Sequence, residues 1–123
     1  MLPRGTTADK SIAPENKMIV DLRIYTCQPN RMAEFVKLYE EKAWPLQQKY
    51  LGRCLGWYTT VEGPLNRVVH MWGYEDQGDR ERRRNAMAAD PAWGVYLAEA
   101  ARLGLLVNME NRFLKPTTFS PVQ

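Results

Sequence analysis

The chain has 123 residues, the size of one folded domain with a single hydrophobic core. Hydrophobic residues make up 45% and charged residues 25% of the sequence, which is typical of an ordinary globular protein. The net charge is only +3, without a concentrated basic stripe, so no nucleic-acid partner is expected. No apolar run is long enough to span a membrane, and Cys27 and Cys54 lack the spacing of metal ligands. We therefore predict no membrane span, no metal site and no cofactor.

Residues 1–17 are polar and show no hydrophobic periodicity, so they are predicted to form a flexible N-terminal arm. They lack the continuous apolar stretch of a secretory signal, and Asp9 and Glu15 are unusual in an organelle presequence. We therefore expect a cytoplasmic protein whose folded part, one compact unit without repeats, spans residues 18–121.

The first half of the folded part reads as a strand followed by a helix. Strict alternation of apolar and polar residues predicts a strand over Met18–Gln28. Asn30 is the expected N-cap of a helix, and Pro45 is expected to kink or interrupt that helix near Trp44. The inward stripe of this helix comprises Met32, Phe35, Val36 and Tyr39.

The second half reads as two strands, two helices and a final strand. Aromatic and β-branched residues predict strands over Arg53–Val61 and Arg67–Tyr74. A polar helix, DRERRRNAMAA, follows. The pair Asp90–Pro91 is typical of a helix start and Gly104 of a helix end, so a further helix lies between them. The last predicted strand is Leu105–Leu114.

The predicted order β-α-β-β-α-β is the α+β ferredoxin-like arrangement, with a four-stranded antiparallel sheet. Right-handed crossovers place the first strand between the third and fourth and put both helices on one face of the sheet. The other face is left open. A second copy of the same sheet would cover it, so we predict a homodimer or a higher oligomer.

The alternation within each strand predicts which side chains point to the open face. We expect the apolar sets, such as Val20, Leu22 and Ile24, to pack under the helices. The open face would then carry Asp21, Arg23, Tyr25, His70, Trp72, Tyr74, Asn108, Glu110 and Arg112. Buried charges must be paired, so Asp21 and Glu110 are expected to meet Arg23 and Arg112. Asn111, a polar residue on the predicted helix side, does not fit this pattern.

Such a face, closed against a partner sheet, would form a polar and aromatic chamber for a small organic molecule. His70, the only histidine, would be the general base or acid of an isomerase or a cofactor-free oxygenase. Arg23 and Arg112 would stabilise a developing oxyanion. The residues expected to contact the ligand are Asp21, Tyr25, Trp72, Tyr74, Asn108 and Glu110.

A structural role accounts for the same residues equally well. His70 would then be a hydrogen-bonded histidine among aromatic rings, and the charged residues an ion-pair network that fixes register at the dimer interface. In that case the protein is a non-catalytic binding or interaction module, and the sequence does not decide whether it is an enzyme. The run Arg80–Arg84 is expected to be a solvated helix face.

Three segments resemble the NIPSNAP family: DLRIYTCQPNRMAEFVKLYEEKAWPLQQKYLG, LGWYTTVEGPLNRVVHMWGYEDQGDRERRR and NMENRFLKPTTFSP. The resemblance extends from about Met18 to Pro121. It implies a ferredoxin-like subunit of the dimeric α/β-barrel group, in which two sheets pack face to face. The wider superfamily includes cofactor-free monooxygenases, haem-degrading enzymes and isomerases, which is an analogy of fold alone. For haem binding, a single histidine on a strand is a weak signal.

Overall fold

A computed structural model describes residues 18–123, so the predicted N-terminal arm lies outside the described residues. The sheet and its helices are β1 (Ile19–Cys27), α1 (Met32–Leu38), α2 (Trp44–Tyr50), β2 (Cys54–Thr59), β3 (Arg67–Tyr74), α3 (Gln77–Ala88), α4 (Pro91–Leu103) and β4 (Leu106–Leu114). A π-helical turn, Tyr39–Ala43, joins α1 to α2. None of the helices within residues 18–123 is long and apolar enough to cross a membrane.

The four strands form one antiparallel sheet in the order β2-β3-β1-β4. This confirms the predicted α+β class and the position of the first strand between the third and the fourth. The helices contribute the side chains that pack on one face of this sheet. Phe35, Leu38 and Tyr39 from the first helical segment join Tyr96 of α4 in the main buried cluster.

The ends of the helices follow local backbone chemistry. The side chain of Asp76 accepts a hydrogen bond from the Asp79 amide at the start of α3. Asp90 caps α4 in the same way, with Pro91 directly after it, and Gly104 ends that helix with a left-handed φ of 59°. The predicted N-cap Asn30 is wrong. It adopts a left-handed φ of 66°, and Arg31 precedes α1 without a side-chain cap.

The expected interruption at Pro45 takes the form of the π-helical turn, which adds one residue to a turn of helix. In a regular α-helix, Tyr39 and Gln47 would lie about 80° apart around the axis, because they are eight positions apart. The wider turn absorbs one of those positions. Both side chains are therefore buried on the same side, where the Tyr39 hydroxyl donates a hydrogen bond to Gln47 Oε1.

The sheet register shows that the prediction of the open face was wrong for β1 and β3. Directly opposed residues of antiparallel strands share a face. Arg23 is opposite His70, and Asp21 is opposite Trp72. The helical residue Tyr39 contacts the His70 ring, so this shared face lies under the helices. The residues predicted to be open but found there are Asp21, Arg23, Tyr25, His70, Trp72 and Tyr74.

The remaining three predicted residues do lie on the free face. Asn108, Glu110 and Arg112 are opposite Thr26, Ile24 and Leu22 of β1. The prediction was right for β4, because Met109, Asn111 and Phe113 are on the helix side as expected. The nine predicted site residues are therefore divided between two faces and do not form one surface. The side chains that β1 and β3 place on the free face include the half-buried apolar residues Leu22, Ile24, Val69 and Met71.

Candidate functional site

A buried carboxylate organises the polar side chains under the helices. Asp21 is fully buried and accepts hydrogen bonds at 3.0 Å from Arg23 Nη1, Arg80 Nε and Asn111 Nδ2. Burial alone would raise the pKa of Asp21, but the Asn111 hydrogen bond and the charges of Arg23 and Arg80 lower it below its ordinary value. The Asp21 carboxylate is therefore ionised at neutral pH. Asn111, which did not fit the predicted pattern, is one of the hydrogen-bond donors to this carboxylate.

Arg23 connects this carboxylate to an aromatic neighbour. Its Nε donates a hydrogen bond to the Tyr25 hydroxyl at 3.1 Å, while its Nη1 donates to Asp21. Both predicted ion pairs exist, each within one strand. Arg23 pairs with Asp21 in β1, and Arg112 Nη2 lies 3.6 Å from Glu110 Oε1 in β4. That second pair is on the free face, so it takes no part in the site under the helices.

His70 is enclosed by aromatic rings. Its ring stacks on Trp57 at a centroid distance of 5.0 Å and meets the edges of Tyr25 at 4.8 Å and Tyr39 at 5.7 Å. Its Nδ1 accepts a hydrogen bond from Trp72 Nε1 at 2.8 Å. The proton of the neutral imidazole is therefore on Nε2, which has no hydrogen-bond partner among residues 18–123.

Burial, reinforced by the positive charge of Arg23, lowers the pKa of His70 to about 3, although Asp21 opposes the shift. The imidazole is consequently neutral at physiological pH. A group with so low a pKa is a poor general base near neutrality, because catalytic bases work best when their pKa lies close to the operating pH. The geometry suits hydrogen-bond donation from Nε2 better than proton abstraction.

A cavity of about 490 Å³ lies between α4 and the helix side of the sheet. The polar side chains on its wall are Arg23, Tyr25, Tyr39, Gln47, Arg84 and Tyr96. The apolar part of the wall includes Trp93, Leu97, Ala100, Leu105 and Met109. Leu97 and Met109 are about half exposed, at 50% and 54%, so the cavity is accessible from solvent on that side.

Arg84 gives this cavity an unbalanced positive charge. It lines the wall and forms no ion pair with any carboxylate of the described residues. Arg23, also on the wall, shares the buried carboxylate of Asp21 with Arg80. A cavity with surplus guanidinium charge and a largely apolar wall is chemically suited to an organic anion.

The structure brings together only part of the predicted set. Arg23 and Tyr25 line the cavity, whereas His70 stands behind them and is absent from the wall. Asp21 does not line the cavity but accepts a hydrogen bond from Arg23. Trp72 and Tyr74 are buried in a neighbouring cluster. Asn108, Glu110 and Arg112 are on the opposite face of the sheet.

The polar wall residues that were not among the predicted site residues are Tyr39, Gln47, Arg84 and Tyr96. Arg84 was assigned to a solvated helix face, and that prediction is wrong for both ends of the run, since Arg80 reaches Asp21. Tyr96 belongs to the main buried cluster and also lines the cavity. The signal in the sequence was the density of arginines in α3.

The described residues contain no cluster of metal-ligating side chains. No group of three or more His, Cys, Asp or Glu side chains within residues 18–123 is placed to hold an ion. His70, the single histidine of the chain, is not on the wall of the cavity, so it does not offer an axial ligand for haem there.

The NIPSNAP family model matches residues 20–121 of the chain. The crystal structure of an uncharacterized NIPSNAP-like domain protein from Burkholderia xenovorans is 45% identical, with a TM-score of 0.81, over 87% of this chain and 91% of that one. A NIPSNAP family protein from Agrobacterium tumefaciens is 40% identical, with a TM-score of 0.81, over 86% of this chain and 99% of that one.

Longer relatives match over part of their length. Protein NipSnap homolog 2 of Mus musculus is 32% identical over 85% of this chain and 36% of its own length. Protein NipSnap homolog of Dictyostelium discoideum is 28% identical over 83% of this chain and 44% of its own length. The chain thus spans less than half the length of these curated relatives. A putative antibiotic biosynthesis monooxygenase from Bacteriodes thetaiotaomicron, 18% identical with a TM-score of 0.58, shares the fold.

Proposed function

Because the chain belongs to the NIPSNAP family, whose fold it shares over nearly all of its described residues, we propose that it binds a small organic anion in the cavity under α4. The observation that carries this proposal is Arg84, a guanidinium on the cavity wall without a carboxylate partner among residues 18–123. Guanidinium groups bind carboxylates through paired, charge-assisted hydrogen bonds.

The two parts of the wall would hold the two parts of such a ligand. The charged group would lie near Arg84, with the Gln47 amide and the Tyr96 hydroxyl as neutral hydrogen-bonding groups. The apolar body would pack against Trp93, Leu105 and Met109. An aromatic or branched carboxylate has this combination of charge and apolar surface.

A catalytic function remains the second candidate, and the unpaired Nε2–H of His70 favours it. In an isomerisation or a cofactor-free oxygenation, this group would donate a hydrogen bond to a developing negative charge, and the reacting part of the molecule would have to pass between Arg23 and Tyr25, because His70 lies behind the cavity wall. Its low pKa makes it unsuited to the general-base role. Arg112 has no part in either candidate function, because it is on the other face of the sheet.

The free face of the sheet supports a homodimer. Leu22, Ile24, Val69 and Met71 form an apolar surface there, which a second copy of the sheet would remove from water. The dimer would be of the α/β-barrel type, with two sheets face to face. In this arrangement the ligand cavity belongs to each subunit separately and lies away from the interface.

Calorimetric titration tests the anion proposal. We expect benzoate to bind and benzamide, which has the same shape without the charge, to bind at least about tenfold more weakly. Arg84→Gln should weaken benzoate binding by about tenfold or more, because it removes a charge-assisted contact. Arg82→Gln is the matched control, since Arg82 is an exposed guanidinium two positions away in the same helix.

Equal affinity for benzoate and benzamide would contradict the proposal, as would an equal effect of the two arginine substitutions. Benzoate binding should also weaken with added salt, because the interaction is between opposite charges near the surface.

A further inference from the structure

A second cleft lies on the other side of Tyr39. Its volume is about 350 Å³, and its wall consists of Val36, Tyr39, Glu40, Trp44 and Trp57. Tyr39 lines both this cleft and the cavity under α4, so its ring is the partition between them. The two spaces nevertheless differ in charge. Among residues 18–123, the wall of the second cleft has no arginine or lysine and one carboxylate, that of Glu40.

Three aromatic rings meet at this cleft. The Tyr39 and Trp57 rings are 4.8 Å apart between centroids and inclined at 53°, so they form a corner. Trp44 contributes a third ring from the start of α2. The face of an aromatic ring carries negative electrostatic potential and attracts a cation. Among tryptophan, tyrosine and phenylalanine, tryptophan attracts a cation most strongly.

The π-helical turn explains why Tyr39 and Trp44 can face the same space. In a regular α-helix, residues five positions apart differ by about 140° in direction. Here the Trp44 amide donates its hydrogen bond to the Tyr39 carbonyl, five residues earlier, which is the bond of a π-helix. The wider turn brings the two side chains towards a common direction, with Glu40 between them in sequence.

Glu40 supplies the charge. It is exposed and forms no ion pair with any residue in the range 18–123. We propose that Tyr39, Trp44, Trp57 and Glu40 form an aromatic cage that binds a small quaternary or methylated ammonium ion. The Glu40 carboxylate would repel an anion, and it would gain no electrostatic attraction from a neutral apolar molecule.

The test compares choline with 3,3-dimethylbutan-1-ol, which has the same shape but carries carbon in place of the charged nitrogen. Binding to the full chain would be followed by the indole N–H resonances of the tryptophans. We expect choline to bind at least about threefold more tightly than its neutral analogue. Glu40→Gln should weaken choline binding about threefold or more, whereas Glu41→Gln should not, because Glu41 is an exposed carboxylate at the next position in sequence that does not line the cleft.

Trp44→Leu should abolish choline binding. If the Trp44→Leu protein does not fold, the exposed substitution Glu40→Gln still tests the proposal. Equal affinity for choline and its neutral analogue would overturn the proposal, because the cleft would then be a simple apolar groove. Undetectable choline binding to the unmodified protein, or an unchanged affinity in Glu40→Gln, would overturn it too. Benzoate binding in the cavity under α4 should be unaffected by Glu40→Gln, which keeps the two proposals separate.

Discussion

The neutral state of His70 is produced by its surroundings. The ring is buried, its Nδ1 is occupied by the Trp72 indole, and Arg23 stands directly opposite on β1. Each of these disfavours a second proton on the imidazole. The Arg23 charge is in turn held in place by Asp21, which is itself ionised. The charges on this side of the sheet therefore depend on one another, and protonation of His70 would disturb all of them.

The low pKa of His70 predicts how stability depends on pH. The unfolded chain takes up a proton at an ordinary histidine pKa of about 6.5, whereas the folded protein does not until the pH falls to about 3. Stability from His70 is therefore complete above pH 6.5 and is lost as the pH falls from 6.5 towards 3. Between pH 7 and pH 5 we expect a loss of about 2 kcal/mol, measured by urea unfolding.

The chain has one histidine, so this interval reports on a single imidazole. The control is His70→Gln, which cannot take up the proton and should show a nearly flat profile between pH 7 and pH 5. A flat profile in the unmodified protein would contradict the buried, neutral state of His70. The same result would follow if the imidazole were exposed and titrated normally in the folded protein.

At the level of strands and helices, local patterns were sufficient to locate the elements. The predicted third strand, Arg67–Tyr74, agrees with β3 at both ends. Turn residues on both sides of a run rich in β-branched and aromatic residues fix where the strand begins and ends. Asp90 and Gly104 marked α4 correctly, since helix capping depends on neighbouring backbone groups alone.

The facing of β1 and β3 could not be predicted in the same way, because one face of these strands carries half-buried apolar side chains and the other carries buried charges and rings. The prediction assumed that a charged residue such as Asp21 avoids the helix side. Its three donors come from β1, α3 and β4, and only the folded chain brings them together. Arg23 and Tyr25 were identified as site residues from a correct pairing of side chains in β1, although on the wrong side of the sheet.

The π-helical turn is a second feature beyond the reach of the pattern. Pro45 signalled an interruption, but a proline also ends or kinks helices, and nothing local specified an inserted residue. The hydrogen bond between Tyr39 and Gln47 depends on this turn, and both side chains are buried.

We expect Gln47→Leu to destabilise the fold by about 1–3 kcal/mol, because it leaves the buried Tyr39 hydroxyl without its acceptor. Gln48→Leu is the control, since Gln48 is exposed at the neighbouring position, and it should change stability little. Thermal and urea unfolding would measure both variants. A Gln47→Leu protein as stable as Gln48→Leu would show that this hydrogen bond does not stabilise the fold.

At the scale of the whole molecule, the two faces of the sheet have different chemistry. The helix side carries charges, aromatic rings, the cavity under α4 and the cleft at Tyr39, whereas the free face presents apolar side chains from β1 and β3. The first is suited to small ligands and the second to a partner surface. The proposed homodimer would therefore leave both cavities within each subunit.

Ile24→Lys tests the dimer, because it would place a charge in the middle of the apolar free face. We expect light scattering to give twice the chain mass for the unmodified protein and the single chain mass for this variant. Val95→Lys, an exposed apolar residue on α4, should remain dimeric. A monomeric unmodified protein, or a dimeric Ile24→Lys variant, would refute the free face as the interface.

Mapping a bound anion by amide chemical shifts would locate the ligand on the molecule. If the account is correct, benzoate perturbs the amides of cavity residues such as Ala100, Ala101 and Leu105, and leaves those of Leu22 and Val69 unchanged. Perturbations confined to the free face would contradict it, and so would a spectrum that benzoate does not change.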